Sequence, residues 1–153
     1  MRTLSRSQSG YTLMEIVVVT AIIAVMAAAL MAFIGTATKN SRDGQRRDAV
    51  SKTQLALEQW AATHSGTFLS SGTVVQPSQL YAAGYLGGDV KVPGLGTAYS
   101  DGTPTGDPTG GQMTISDRTK GTGGYGYCVR VLLESGAIYG ATDADKTGRT
   151  DPC

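Results

Sequence analysis

From Ile16 to Ile34 the chain reads IVVVTAIIAVMAAALMAFI, a run in which Thr20 alone carries a polar side chain. At about 1.5 Å of rise per residue, a helix of that length crosses the hydrocarbon core of a bilayer. Because it is apolar all round, it reads as a helix facing lipid or packed on every side. Beyond Gly35 the pattern changes. Val50, Thr53, Leu57, Trp60 and Ala61 recur at helical spacing with charged residues between them. Asp43 with Arg47, and Asp48 with Lys52, are acid-first pairs at i,i+4 that support an exposed opposite face. Gly66 reads as a C-terminal stop. The pattern predicts one long helix from near Thr12 to near His64, with a hydrophobic first half and an amphipathic second half.

After the helix, Pro77 and the run QLYAAGYL predict a short helix entered at Ser78 and closed near Gly84. Residues 87–124 are rich in Gly, Thr, Ser, Pro and Asp, which predicts loop with one strand at Gln112 to Ser116. The alternating run GYGYCVRVLL places Tyr125, Tyr127, Val129, Val131 and Leu133 on one face. Glu134, Ser135 and Gly136 then turn it into AIYGA, a hairpin. The expected fold class is α+β, a long N-terminal helix packed on a small antiparallel β-sheet.

A chain of 153 residues with 13 basic and 12 acidic side chains has room for one modest domain, and its charge gives no reason to expect an obligate nucleic-acid partner. The basic cluster Lys39, Arg42, Arg46 and Arg47 reads as a solvated collar with local ion pairs rather than a site for lipid headgroups or DNA. His64 is the only histidine, and near a helix end it reads as a polar terminal residue, since no second ligand or nucleophile stands at a recognisable spacing. No nucleophile–base–orienter set, phosphate loop or Cys/His cluster stands out, so neither an enzyme nor a cofactor is expected.

The most specific signal is SGYTLMEIVVV at Ser9 to Val19, preceded by the basic residues Arg2 and Arg6. A secretory signal peptide would use the same arginines and the alanines near Ala27 to Ala29, but its apolar region would be too long and Glu15 would stand at its entrance. The segment closely resembles the processing site of type IV prepilins: a short basic leader ending in Gly, an aromatic, Thr-Leu, then Glu four positions after the aromatic. The resemblance implies that a prepilin peptidase cuts between Gly10 and Tyr11 and that the new amine of Tyr11 is N-methylated. It also implies that Glu15 pairs with a neighbouring subunit's amine during assembly. Tyr11 stands where Phe is commoner, and no proline interrupts the apolar run as it does in many pilins.

On that reading residues 1–10 are leader, 11–35 the transmembrane and polymerisation helix, 36–64 its amphipathic half, and 65–153 the globular head. Removing the leader takes away two of the 13 basic side chains and no acidic one, leaving a near-neutral chain suited to self-association. An exported chain would pair its two cysteines, Cys128 and Cys153. The resemblance makes that bond the closure of a C-terminal loop. DADKTG at Asp143 to Gly148 opens like a calcium loop, with Asp143 and Asp145 as ligands, but the twelfth position falls beyond Cys153. A short acidic turn is the commoner reading.

The implied function is a structural subunit of a type IV pilus supporting adhesion, twitching motility or DNA uptake. The alternative is a pseudopilin of a type II secretion or competence system. A third class, a membrane-anchored enzyme or binding module, lacks a motif. The implied partners are copies of the chain, the peptidase, the inner-membrane pilus assembly machinery and, before assembly, the membrane itself. The implied location is the cytoplasmic or inner membrane for the precursor and the cell surface for the fibre.

Overall fold

The structure, a computed structural model, describes residues 10–70, 73–88, 90–103, 106–120, 124–145 and 147–150. The chain divides into two compact units, residues 1–38 and 39–153. Helix α1, Leu13–Thr63, is one uninterrupted helix of 51 residues and contributes to both, with bounds one residue inside those expected at each end. It runs through Gly35 and Gly44 without a break, consistent with a run that contains no proline. Thr20 and Thr38 return their hydroxyls to the carbonyls of Val17 and Ile34 at 3.0 and 2.9 Å, so these polar side chains are satisfied inside the helix. At the other end Ser65 and Gly66 both adopt positive φ, and the N–H of Gly66 bonds to the carbonyl of Ala61 at 2.7 Å. Gly66 is thus the stop that the sequence predicts.

In the second unit, hereafter the head, the predicted stripe is the buried one. Val50, Thr53 and Leu57 are fully buried, and Trp60 and Ala61 nearly so. Val50, Leu57 and Trp60 pack with Val75, Leu80, Met113, Ile115, Tyr127, Val129 and Val131 in a single core. A two-stranded ribbon, β1 (Leu69–Ser70) with β2 (Thr73–Val74), follows α1. Next comes α2, Pro77–Ala82. The main sheet has the order β3 (Ser100–Asp101), β4 (Gln112–Lys120), β5 (Gly124–Leu132), β6 (Ile138–Thr142) and β7 (Arg149–Thr150). The α+β class and the β5–β6 hairpin are as expected, with Val131 opposite Tyr139 and Val129 opposite Ala141.

Several expectations are corrected. β4 runs past Ser116 to Lys120, because Asp117 to Lys120 pair with Tyr127 to Gly124; the partner strand extends polar residues there. The sheet is mixed rather than purely antiparallel, since β3 joins β4 in parallel. Finally, α2 starts one residue earlier than Ser78, with Gln76 before it and the Gln76 N–H bonded to Oε1 of Gln79 at 2.9 Å. Ser78, where the helix is expected to be entered, donates its N–H and hydroxyl to the Asp101 carboxylate at 2.8 and 2.6 Å. A carboxylate from β3 thereby takes the free donors at the start of α2.

Candidate processing and assembly site

In the first unit, α1 opens with a side-chain cap. The Thr12 hydroxyl accepts the N–H of Glu15 at 3.2 Å, and the Thr12 carbonyl accepts the N–H of Ile16 at 3.3 Å. Thr12 is therefore the N-cap and Glu15 the third helical residue, the T-x-x-E spacing of a capping box. Gly10 and Tyr11 precede the cap outside the helix, and the Tyr11 side chain is 80% exposed. Glu15 is exposed in the first turn, where the positive end of the helix dipole favours a carboxylate.

From Ile16 to Ile34 the large apolar side chains are exposed, from 47% at Val19 to 76% at Met31. The helix is long and apolar enough to cross a membrane, with none of its most apolar window buried. Water does not tolerate such a surface: burying one such side chain is worth about 1.5–3 kcal/mol, and contiguous exposed patches of this kind mark contact with lipid or protein. The Gly10–Tyr11 bond at which cleavage is expected, Glu15 and the apolar surface thus share one helix end.

In the head, the residues expected to form a solvated collar do something else. Asp43 is buried, and its Oδ1 accepts the backbone N–H of Glu134 at 2.7 Å. Arg46 is also buried; it donates to the carbonyl of Leu132 and lies 3.4 Å from Oε1 of Glu134. Arg42 reaches the same Glu134 oxygen at 3.3 Å. Arg47 lies over the Tyr139 ring, 5.3 Å from its centroid. Arg42, Arg46 and Asp43 therefore clamp the β5–β6 turn to α1, while Lys39 and Arg47 stay exposed. The expected local pair of Asp43 with Arg47 gives way to these long-range contacts. Asp48 with Lys52 stands as expected, at 3.2 Å.

His64 stacks on Trp60, with ring centroids 3.9 Å apart and planes 1° from parallel, and Tyr85 meets Trp60 edge-on at 5.6 Å. Its Nδ1 is 2.9 Å from the Trp60 carbonyl. This is a helix-end packing arrangement, in line with the polar terminal reading. The Asp143 carboxylate lies over Gly126 so closely that a Cβ there would meet it. Asp145 accepts the N–H and hydroxyl of Thr147 at 3.2 and 2.6 Å, an ordinary acidic turn. Among the described residues no three His, Cys, Asp or Glu side chains are grouped to hold a metal ion. Cys128 is buried in β5 and none of the described cysteines is free; Cys153 lies outside the described residues.

The clamp residues Asp43, Arg46 and Glu134 were missed from the sequence. Only the helical offset of Asp43 and Arg46 from Val50 and Thr53 signals them, placing them on the extension of the buried stripe. Residues 5–31 match the family model of the prokaryotic N-terminal methylation motif. No curated protein and no solved structure matches the chain.

Proposed function

We propose, from the methylation motif that is the hallmark of type IV pilin and pseudopilin precursors, that this chain is the precursor of a structural filament subunit without enzymatic activity of its own. A prepilin peptidase removes residues 1–10, Tyr11 is N-methylated, and residues 11–35 hold the product in the inner membrane. Copies then leave the membrane by packing these helices into an extracellular type IV pilus, with Glu15 of one subunit against the Tyr11 amine of another. The carrying observation is the unpartnered apolar surface from Ile16 to Ile34 directly behind an exposed Gly10–Tyr11 bond. A carboxylate carried to mid-bilayer costs about 2.5–3.5 kcal/mol, and the new amine would offset that cost in a neighbour.

Between pilus and secretion pseudopilin, the head favours the pilus. The acidic turn that would have supported a calcium-dependent pseudopilin closes on its own threonine. The buried Cys128, with no free cysteine among the described residues, suits a bond to Cys153 closing the C-terminal loop. That closure adds roughly 3 kcal/mol for a loop of this length in the chain-entropy model. Adhesion, twitching or DNA uptake then follow from extension and retraction by other proteins.

The test is intact-mass and N-terminal peptide mass spectrometry of protein from sheared surface fibres and from membranes, before and after reduction. Methylated Tyr11 at the N-terminus in fibres, with two hydrogens gained on reduction, supports the reading. The processed chain confined to membranes supports the pseudopilin, and an intact leader or a cut near Ala29 overturns both.

A further inference from the structure

We infer that Thr12 is a positioning residue for leader removal: its hydroxyl ends the helix so that the Gly10–Tyr11 bond stays outside it. The inference rests on the processing reading above and adds a residue and a physical role to it.

The apolar stretch from Leu13 onward has no internal reason to stop at its N-terminal side. Helix propagation adds a hydrogen bond per residue once a nucleus exists. The stop comes from Thr12, whose Oγ1 takes the N–H of Glu15 and so competes with one further helical turn. The next side chain of capping type toward the N-terminus is Ser9, three residues before Thr12. If the helix began there instead, Gly10 and Tyr11 would become its first two residues. The scissile bond would then lie in the opening turn, with its carbonyl engaged by a helical N–H.

In the capped arrangement Gly10 and Tyr11 are non-helical and exposed, and nothing lies within 4 Å of where a Gly10 side chain would stand. Exposed backbone of this kind is what a protease accepts; helical backbone must first be unwound. The cap acts again after cleavage. Tyr11 becomes the only residue ahead of it, so the new amine sits on a one-residue arm beyond the helix end. That short arm limits where the amine can go, favouring a carboxylate brought to the helix terminus by another subunit.

The experiment measures kcat/KM for leader release from the full-length precursor in detergent, by mass, using a prepilin peptidase and the variants Thr12→Val, Thr12→Ala, Thr12→Ser and Thr12→Asn. Val keeps the shape of Thr without the acceptor, while Ser and Asn keep an acceptor and change the shape. Loss of a cap is typically worth about five-fold in an equilibrium. Val and Ala should therefore process about five-fold more slowly, with Ser and Asn within about two-fold of the parent. Amide hydrogen exchange at Met14 supplies the second readout: its N–H gains protection in the Val and Ala variants, where a helix begun at Ser9 gives it the Gly10 carbonyl, and stays unprotected in the Ser and Asn variants. Normal processing of Thr12→Val overturns the inference. So does slow processing of Thr12→Ser and Thr12→Asn with Met14 still unprotected, which would mean that the peptidase reads the threonine side chain directly. A parent chain that is not cut after Gly10 refutes the processing reading itself, an outcome distinct from both.

Discussion

Raising the pH should unfold the head through two tyrosines. Tyr99 and Tyr127 are 4% and 0% exposed, and the hydroxyl of each is buried without a well-formed hydrogen bond. Burial pushes both up to about 12. At Tyr99 the guanidinium of Arg46 opposes the effect of burial and Tyr81 adds to it. At Tyr127 the Glu58 carboxylate adds to burial and Gln54 opposes it. The folded state thus holds the neutral phenol more strongly than the unfolded chain does. The resulting stability is complete below pH 10 and lost as the pH rises from 10 toward 12. Two units correspond to about 2.7 kcal/mol for each tyrosine, and the pair to about 5 kcal/mol, a large share of the 5–15 kcal/mol typical of a folded domain. The assay follows tyrosinate absorbance and far-ultraviolet circular dichroism together through an alkaline titration of the full chain in detergent. Part of the absorbance change should appear only as the helical and strand signal falls, and Tyr99→Phe and Tyr127→Phe should each remove about half of the alkaline loss. At neutral pH Tyr127→Phe should lie within about 1 kcal/mol of the parent, because the hydroxyl it removes is poorly satisfied. If all seven tyrosines ionise while the circular dichroism is unchanged, the burial argument is refuted.

Leu57→Ala should destabilise the head by about 2–5 kcal/mol in denaturant titrations, since Leu57 is fully buried and the side chains around it cannot collapse completely. Asp43→Ala should cost about 1–3 kcal/mol by stranding the Glu134 N–H, and hydrogen exchange at that amide should accelerate. Thr53→Val should stay within about 1 kcal/mol in the same titrations, because the hydroxyl lost bonds only to the Ala49 carbonyl and the Met113 sulfur. Glu15→Gln should leave leader removal intact and shift the processed chain from sheared fibres to membranes. Equal recovery from both fractions would argue against an assembly role.

The long helix and the β5–β6 hairpin were legible because their signals are local: a 3.6-residue period from Val50 to Ala61 and a 2-residue period from Tyr125 to Leu133. The motif around Gly10, Tyr11 and Glu15 was legible for the same reason, being packed into a few consecutive residues that match the methylation-motif model. The clamp was not. Asp43 and Glu134 stand 91 positions apart, and charged residues beside a helix normally read as solvated. Long-range pairing also decided the strands. β3 is two residues long and has no period to detect, and the second half of β4 is extended only because β5 lies beside it. Ser78 carried the composition of a cap, yet Asp101 from another element supplies the acceptor there. Asp145 shows the converse case, a local pattern that suggested an ion and instead takes the N–H and hydroxyl of Thr147 two residues on.

The main sheet ends on both sides in two-residue strands, Ser100–Asp101 and Arg149–Thr150. In a fibre, neighbouring heads would sit at local concentrations that few proteins meet in solution. A long bare rim would offer those neighbours a rival way to join, by strand addition at the spacing of about 4.8 Å set by backbone pairing. Two residues per rim are too few to sustain such a ribbon. On the filament reading proposed above, the choice of polymer would be left to the N-terminal helices, and subunits crowded side by side could come apart again without having fused into a common sheet.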